Sequence, residues 1–429
     1  MEAISSKTIY IKGLWHQGLV AASVWASDGF IVTGLCDSKS EADYLNEGNI
    51  PIYEPELAEL IKESLRKGNL IFTVFNNALP APDYLCFMHD TEVDEDDYVS
   101  TKKFFKDFEK LKSLIEPTVQ VFITSQLPAT TCDNVLENLC SSFNFMPNVA
   151  YMPENLRLGS AIERFRNPPM PVFGLNKFEN LENLAVLFPR TPKFECCSLV
   201  EAELLKSTLN VFLAMLVSFG NEISEICDNL ESDGSKVMRL LRLEPRVGNQ
   251  LPLLPGMPFS GGTLGRDVRN LERIRTSNSK GLIKSIWDSN QHRGKYLIDV
   301  IREIGQKNGI ESIGLLGLTY KTDTSTLRRS FPLDVFTGVI SDFEFIGGFD
   351  PMSSKFKEDL PEELNLFESL VDLFNQVEML VITTAWPEII DFLKNANLDS
   401  KYLIDPFGVL PIQFQEKPNY YHFGGRRRF

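Results

Sequence analysis

Histidine is scarce and cysteine is scattered in this 429-residue chain. Four histidines and seven cysteines (Cys36, Cys86, Cys132, Cys140, Cys196, Cys197 and Cys227) form no CxxC pair and no grouping at metal-ligand spacing, so no metal site and no dithiol redox motif is expected. The odd number of thiols, most of them beside apolar neighbours, reads as reduced core cysteine in a cytoplasmic protein. No stretch approaches the ~18 apolar residues of a membrane span, and Met1 to Lys7 lacks a basic segment leading into an apolar one, so neither insertion nor export is expected. Basic charge is also in deficit. Against 58 acidic residues stand 43 basic ones, a net charge of −15, which repels nucleic-acid phosphates and anionic membrane surfaces and removes both as partners. The single basic run, Arg426-Arg427-Arg428, reads as a solvated tail. Internal repeats and low-complexity tracts are absent.

What is present is an ordinary globular composition, 43% hydrophobic and 24% charged, at a length that suggests two to four domains. Thr8 to Ile11 is a short apolar run; Gly13-Leu14-Trp15-His16-Gln17-Gly18 follows, then an Ala-rich segment, a second apolar run from Phe30 to Leu35, and Asp37. Strand, glycine turn, helix, strand and acid in that order make a βαβ unit of dinucleotide-binding length. Further apolar runs at 84–88 and 119–123, with a helical-looking segment from Tyr98 to Glu116 between them, predict a parallel sheet covered by helices. From Ser198 to Leu230 there is no proline, and apolar residues recur at three- and four-residue spacing, which predicts one long helix. A Pro/Gly-rich loop spans 245–262. A helix over 296–308 and strands near 311–317, 343–347, 379–383 and 402–404 predict a second α/β sheet. The fold class expected is therefore α/β, two Rossmann-like parallel-sheet domains joined by a helical central domain. The boundaries fall at 1–194, 195–294 and 295–429, and the stripe on the long helix predicts a homodimer through the central part.

This order of parts, with the residues that mark it, resembles the nucleotide-sugar dehydrogenases that include UDP-glucose and GDP-mannose dehydrogenases. The resemblance rests on the first glycine turn and Asp37; on Gly48-Asn49-Ile50-Pro51-Ile52-Tyr53-Glu54-Pro55-Glu56-Leu57; and on Pro153-Glu154-Asn155-Leu156-Arg157-Leu158-Gly159-Ser160-Ala161. It continues through Ala202-Glu203-Leu204-Leu205-Lys206, Asn210, Asn221-Glu222, Arg246-Val247-Gly248, Gly317-Leu318-Thr319-Tyr320-Lys321 with Arg328, and Asp350-Pro351. It implies NAD as cofactor, held at Gly13, position 15, Gly18, Asp37 and Ser125, and a nucleotide sugar met by Arg246, Gly261, Gly262, Lys321 and Arg328. It implies catalytic roles at Lys206, Asn210, Asp267, Glu154 and position 263. Lys206 and Asn210 lie at i, i+4 and so share one helix face, where they can stabilise a developing alkoxide. Asp267 can orient a water or Lys206. Glu154 serves either as a general base or as the cap of a turn, and His16 reads as packing or solvent-facing.

Two motifs depart from the family. Where it has the middle glycine of Gly-x-Gly-x-x-Gly, this chain has Trp15, so the pyrophosphate is expected to be displaced or the dinucleotide to be held weakly or not at all. Where the family has its nucleophilic cysteine, Ser260-Gly261-Gly262-Thr263-Leu264-Gly265-Arg266-Asp267 places Thr263, and Arg266 replaces its lysine. The family removes two hydrides from one sugar carbon by way of a thioester. A threonine hydroxyl is a poor nucleophile without an adjacent base, so that route is not expected. Three functions follow: a nucleotide-sugar oxidoreductase making a single oxidation, a redox-neutral epimerase or isomerase using bound NAD, and a non-catalytic sugar-nucleotide binder.

Overall fold

The computed structural model describes residues 7–91, 93, 99–275, 281–415 and 417–423. Arg426-Arg427-Arg428 and Tyr98 lie outside the described residues. Strands β1 (Thr8–Lys12), β2 (Ile31–Cys36), β3 (Leu70–Val74), β4 (Tyr84–Phe87), β5 (Gln120–Ile123), β6 (Asn148–Tyr151), β7 (Val172–Leu175) and β8 (Glu195–Cys197) form one sheet. Its order is β3-β2-β1-β4-β5-β6-β7-β8, parallel except where β7 meets β6. All four residues of β4, Tyr-Leu-Cys-Phe, are buried, as a strand covered by helices on both faces requires. The helix Lys102–Leu111 occupies the middle of the segment expected to be helical and continues as a 3-10 turn to Leu114.

The second sheet holds β9 (Ser312–Leu316), β10 (Phe345–Phe349), β11 (Asn365–Leu366), β12 (Met379–Ile382), β13 (Tyr402–Asp405) and β14 (Tyr420–His422), in the order β11-β10-β9-β12-β13-β14 and parallel throughout. In both sheets the first strand sits inside and the order reverses beside it, the switch point at which open α/β sheets bind ligands. The fold is thus α/β, with two Rossmann-like sheets and a helical centre.

The long helix runs from Leu199 to Asn229. By length and composition it could cross a membrane, with an 18-residue window of mean hydropathy 1.4, which corrects the expectation that no such stretch exists. Its side chains explain the hydropathy otherwise. Ala202 packs in the first sheet's core, Val211 and Ala214 pack with Val268 and Ile286, and Glu203, Lys206 and Asn210 are buried polar residues. Part of the helix is thus core, with 44% of that window buried. The chain divides within it into two units, 1–208 and 209–429, so most of the central helical region belongs with the second sheet.

Candidate active site

β1 ends at Lys12, and Gly13 turns the chain with φ +100°; a Cβ there would stand 2.6 Å from the backbone nitrogen of His89. At Gly18 a Cβ would stand 2.0 Å from the carbonyl oxygen of Gly13. Both positions therefore require glycine, and the helix His16–Ser27 starts directly after the turn. Trp15 lies within this turn's sequence and is not buried in it. Its indole is 48% exposed and forms part of the wall of a cavity of about 340 Å³, together with Lys12, Gly13, Asp37, His89, Lys103 and Asp107. The Asp37 carboxylate accepts from Lys12 and lies 3.4 Å from the Lys103 ammonium. Burial alone would raise its pKa, but these two cations outweigh that and hold it below the usual carboxylate range. Lys12 is buried, donates also to the Leu35 carbonyl at 3.3 Å, and faces Asp107 at 3.9 Å, which in turn pairs with His89 at 2.9 Å. A glycine turn feeding a helix and a carboxylate at the end of β2 beside a cavity fit a dinucleotide. Ser125 is placed differently. Its hydroxyl accepts from the His89 N–H at 2.7 Å and donates to the Phe87 carbonyl at 3.2 Å, so it braces the ends of β4 and β5.

His16 is neither simply packed nor free. Its Nε2 lies 3.0 Å from Glu54, a buried carboxylate that also accepts the Gly159 N–H at 3.0 Å and the Ala161 N–H at 2.8 Å. Glu54 thereby ties the 48–57 motif to the Pro153–Ser160 loop. Within that loop Glu154 accepts the Leu156 N–H, so it caps its own turn. Asn155 accepts from Lys206 Nζ at 3.2 Å, and its carbonyl accepts from Arg164 at 2.8 Å. One turn before Lys206, Glu203 accepts the N–H groups of Thr130 and Cys132 at 2.7 and 2.9 Å, and burial pushes its pKa up to about 7.

In the second unit Asn210 donates to Asp267 at 2.5 Å, and Arg266 Nε lies 3.3 Å from the other carboxylate oxygen. Asp267 sits in the first turn of the helix Leu264–Ile274, and Thr263, four residues earlier, is the exposed residue that opens it, its hydroxyl making no capping hydrogen bond. The preceding loop is not a linker. Asn221 grips it at the Gly256 N–H (2.9 Å) and the Met257 carbonyl (3.2 Å), Asn290 at the Phe259 N–H (2.7 Å) and carbonyl (2.9 Å), and Arg293 at the Gly256 carbonyl (3.0 Å). Gly261 has φ +80°, and a Cβ there would meet the Tyr320 ring at 2.6 Å; at Gly262 the nearest atom would be Arg328 Nε at 4.0 Å. Tyr320 walls a cavity of about 590 Å³ together with Pro255, Phe259, Lys321, Thr384 and Phe407 among others, whereas Gly261, Gly262 and Arg328 are not part of its lining. Arg246 is not brought to it. Its side chain is 87% exposed and binds Glu244 at 2.9 Å. Cys227 is buried in the long helix, and burial pushes Cys36 up to about 12 and Cys86 and Cys132 well above the usual thiol range.

Lys12, His89, Asp107, Asn290 and Arg293 are absent from the expected site, and Glu54 and Asn221 entered it only as letters of motifs. The one sequence signal for Lys12 is a lysine closing an apolar strand just before a glycine turn.

Three family models match the chain: the UDP-glucose/GDP-mannose dehydrogenase family's NAD binding domain over residues 7–191, its central domain over 200–292 and its UDP binding domain over 314–411. A UDP-glucose 6-dehydrogenase of Rickettsia felis is 29% identical over 434 residues, covering 96% of this chain and 95% of that one. A second, from Rickettsia typhi, is 30% identical over 88% of each. A GDP-mannose 6-dehydrogenase of Azotobacter vinelandii is 28% identical, covering 94% of this chain and 97% of its own. Among solved structures, a UDP-glucose dehydrogenase from Pyrobaculum islandicum shares the fold with a TM-score of 0.86 at 24% identity, over 97% of both chains. The dehydrogenase reading thus stands over the isomerase and the non-catalytic binder, and the chain belongs to the UDP-glucose/GDP-mannose dehydrogenase family, NAD-dependent oxidoreductases of nucleotide sugars.

Proposed function

We propose that the chain oxidises one hydroxyl-bearing carbon of a UDP- or GDP-linked hexose, UDP-glucose being the first to test, and that the reaction stops at the carbonyl level. The observation that carries this is Thr263, an exposed hydroxyl at the head of the Asp267 helix where the family has its thiol. When bound, NAD supplies the hydride acceptor. Lys206 and Asn210, one turn apart on the long helix, stabilise the developing alkoxide. Asp267 orients the water that takes the hydroxyl proton, so the carbon loses a hydride, the oxygen loses a proton and the C=O bond forms. Glu154 keeps its turn in shape. Lys321 and Arg328 meet the diphosphate as charge-assisted donors beside Gly261 and Gly262, and Arg328 can do so bidentately. Gly13, Gly18, Asp37 and Trp15 surround the dinucleotide, with Ser125 supporting them from behind.

In this reading segment 1–194 serves the dinucleotide, 295–429 the nucleotide sugar, and 195–294 subunit contact in a cytoplasmic homodimer. Phe212, Phe219 and Ile226 are exposed at seven-residue spacing on one stripe of the long helix, which supports the dimer. Light scattering at working concentration tests it. The reaction is tested by stoichiometry: one NADH per nucleotide sugar consumed, with an aldehyde or ketone product by mass, is expected. Two NADH with a uronate product would overturn the reading.

A further inference from the structure

Gly317 does in the second sheet what Gly13 does in the first. It follows the inside strand, has φ +94°, and a Cβ there would stand 2.5 Å from the Thr384 side chain past β12. Asp350 likewise corresponds to Asp37. Each is the first residue beyond the strand beside the inside strand, Asp37 after β2 and Asp350 after β10. Both are held by donors, Asp37 by the Lys12 and Lys103 ammoniums, but their surroundings differ. Asp37 faces a cavity, whereas Asp350 is 1% exposed and surrounded by donors. Its Oδ2 accepts the N–H groups of Leu318 (2.7 Å) and Thr319 (3.0 Å), the Thr319 hydroxyl (3.0 Å) and the Trp386 indole N–H (3.2 Å), and its Oδ1 accepts the Met352 N–H (2.8 Å).

The backbone N–H groups that follow a glycine turn of this kind are ordinarily the anion-binding element, helped by the helix they open. Here the chain's own carboxylate occupies those of Leu318 and Thr319. No helix begins there either, since the next one is Phe331–Val339. The second turn therefore has no backbone anion hole for a substrate phosphate, and recognition falls to the side chains that follow, Tyr320 and Lys321. A buried carboxylate is tolerated only where its oxygens are fully hydrogen-bonded. Asp350 meets that condition by joining two stretches, Gly317–Thr319 and Thr384–Trp386, both of which run directly into the wall of the 590 Å³ cavity.

We infer that Asp350 is a positioning residue for nucleotide-sugar binding: it fills the anion hole of the second glycine turn and so holds Tyr320 and Lys321 against the cavity, leaving the substrate's phosphates to side chains alone. This rests on reading that cavity as the nucleotide-sugar site. The test is calorimetric titration of the full chain with UDP-glucose and, separately, with NAD, for the parent, Asp350→Asn and Lys321→Ala. The amide keeps the shape but loses the charge and sets an N–H against that of Met352. The expected result for Asp350→Asn is UDP-glucose binding at least tenfold weaker with NAD binding within twofold of the parent, a split that general destabilisation does not produce. Unchanged UDP-glucose binding, or equal weakening of both ligands, overturns the inference. If Lys321→Ala also binds UDP-glucose as the parent does, the placement of the substrate is what fails. Should Asp350→Asn not fold, Thr319→Val, which removes only the hydroxyl donor, carries the same test with an expected loss of about threefold.

Discussion

Asn210 and Asp267, 57 residues apart in the chain, share a hydrogen bond of 2.5 Å with both side chains buried. The bond joins the long helix to the helix that Thr263 opens, and it fixes the carboxylate to which the proposed mechanism gives the water-orienting role. Removing the amide leaves a carboxylate 1% exposed with a donor missing. Asn210→Ala is expected to destabilise the fold by about 1–3 kcal/mol and to lower kcat at least tenfold, with KM for NAD within twofold. Thermal unfolding and steady-state kinetics check both parts; a variant with the parent's kcat removes Asn210 from the chemistry.

Thr263→Cys is expected to restore what the threonine withholds. A thiol at the exposed head of a helix gains thiolate character from the N-terminal end of the dipole and can add to the aldehyde. NADH formed per sugar should move from one toward two, with a uronate in the mass spectrum. A ratio that stays at one would mean that the rest of the thioester machinery has gone as well.

Trp15→Gly is expected to tighten NAD binding severalfold by letting the pyrophosphate approach the turn between Gly13 and Gly18. The indole is half exposed and lines the same cavity as Gly13, so the substitution removes a wall without opening a core void. A loss of affinity by calorimetry would show that the dinucleotide packs on the indole.

Arg328→Ala removes a charge-assisted donor and is expected to weaken UDP-glucose binding by about 1.5–3 kcal/mol, roughly ten- to a hundredfold. Titration at two ionic strengths separates the contact from long-range attraction, since a direct contact keeps most of its effect in salt.

Glu203 makes stability depend on pH. Its pKa rises from 4.5 in the free side chain to about 7 in the fold, so between those values the folded state holds a proton that the unfolded chain has lost. The sign follows directly. The protonated form's contribution is complete below about pH 4.5 and is lost as pH rises through 7, to a total on the order of 3 kcal/mol. Glu203→Gln is expected to flatten the fall in Tm between pH 5 and pH 8; an unchanged slope would assign the dependence to other groups.

The sequence alone determined those parts of the protein that rest on local periodicity and on backbone geometry. Apolar runs placed β1, β2, β4, β5, β9 and β12 nearly to the residue, and the three- and four-residue spacing placed the long helix, because burial of a strand or helix face is written in consecutive residues. Gly13, Gly18 and Gly261 were legible because no other residue tolerates the close contacts made there. Thr263 was legible as a missing thiol. The short or polar strands β3, β6, β7, β8, β11 and β14 were not, nor was the helix Leu282–Asn308 before Tyr296, whose polar residues turn out to include the buried Asn290 and Arg293. Only the tertiary structure decided which way the Trp15 indole faces, that Lys12 engages Asp37, that Glu54 reaches Gly159 across 105 residues, and that Asp350 closes one glycine turn while Asp37 leaves the other open. The reason is physical: the partner of a buried charge is selected by the whole packed arrangement, whereas the sequence records only that the charge is there.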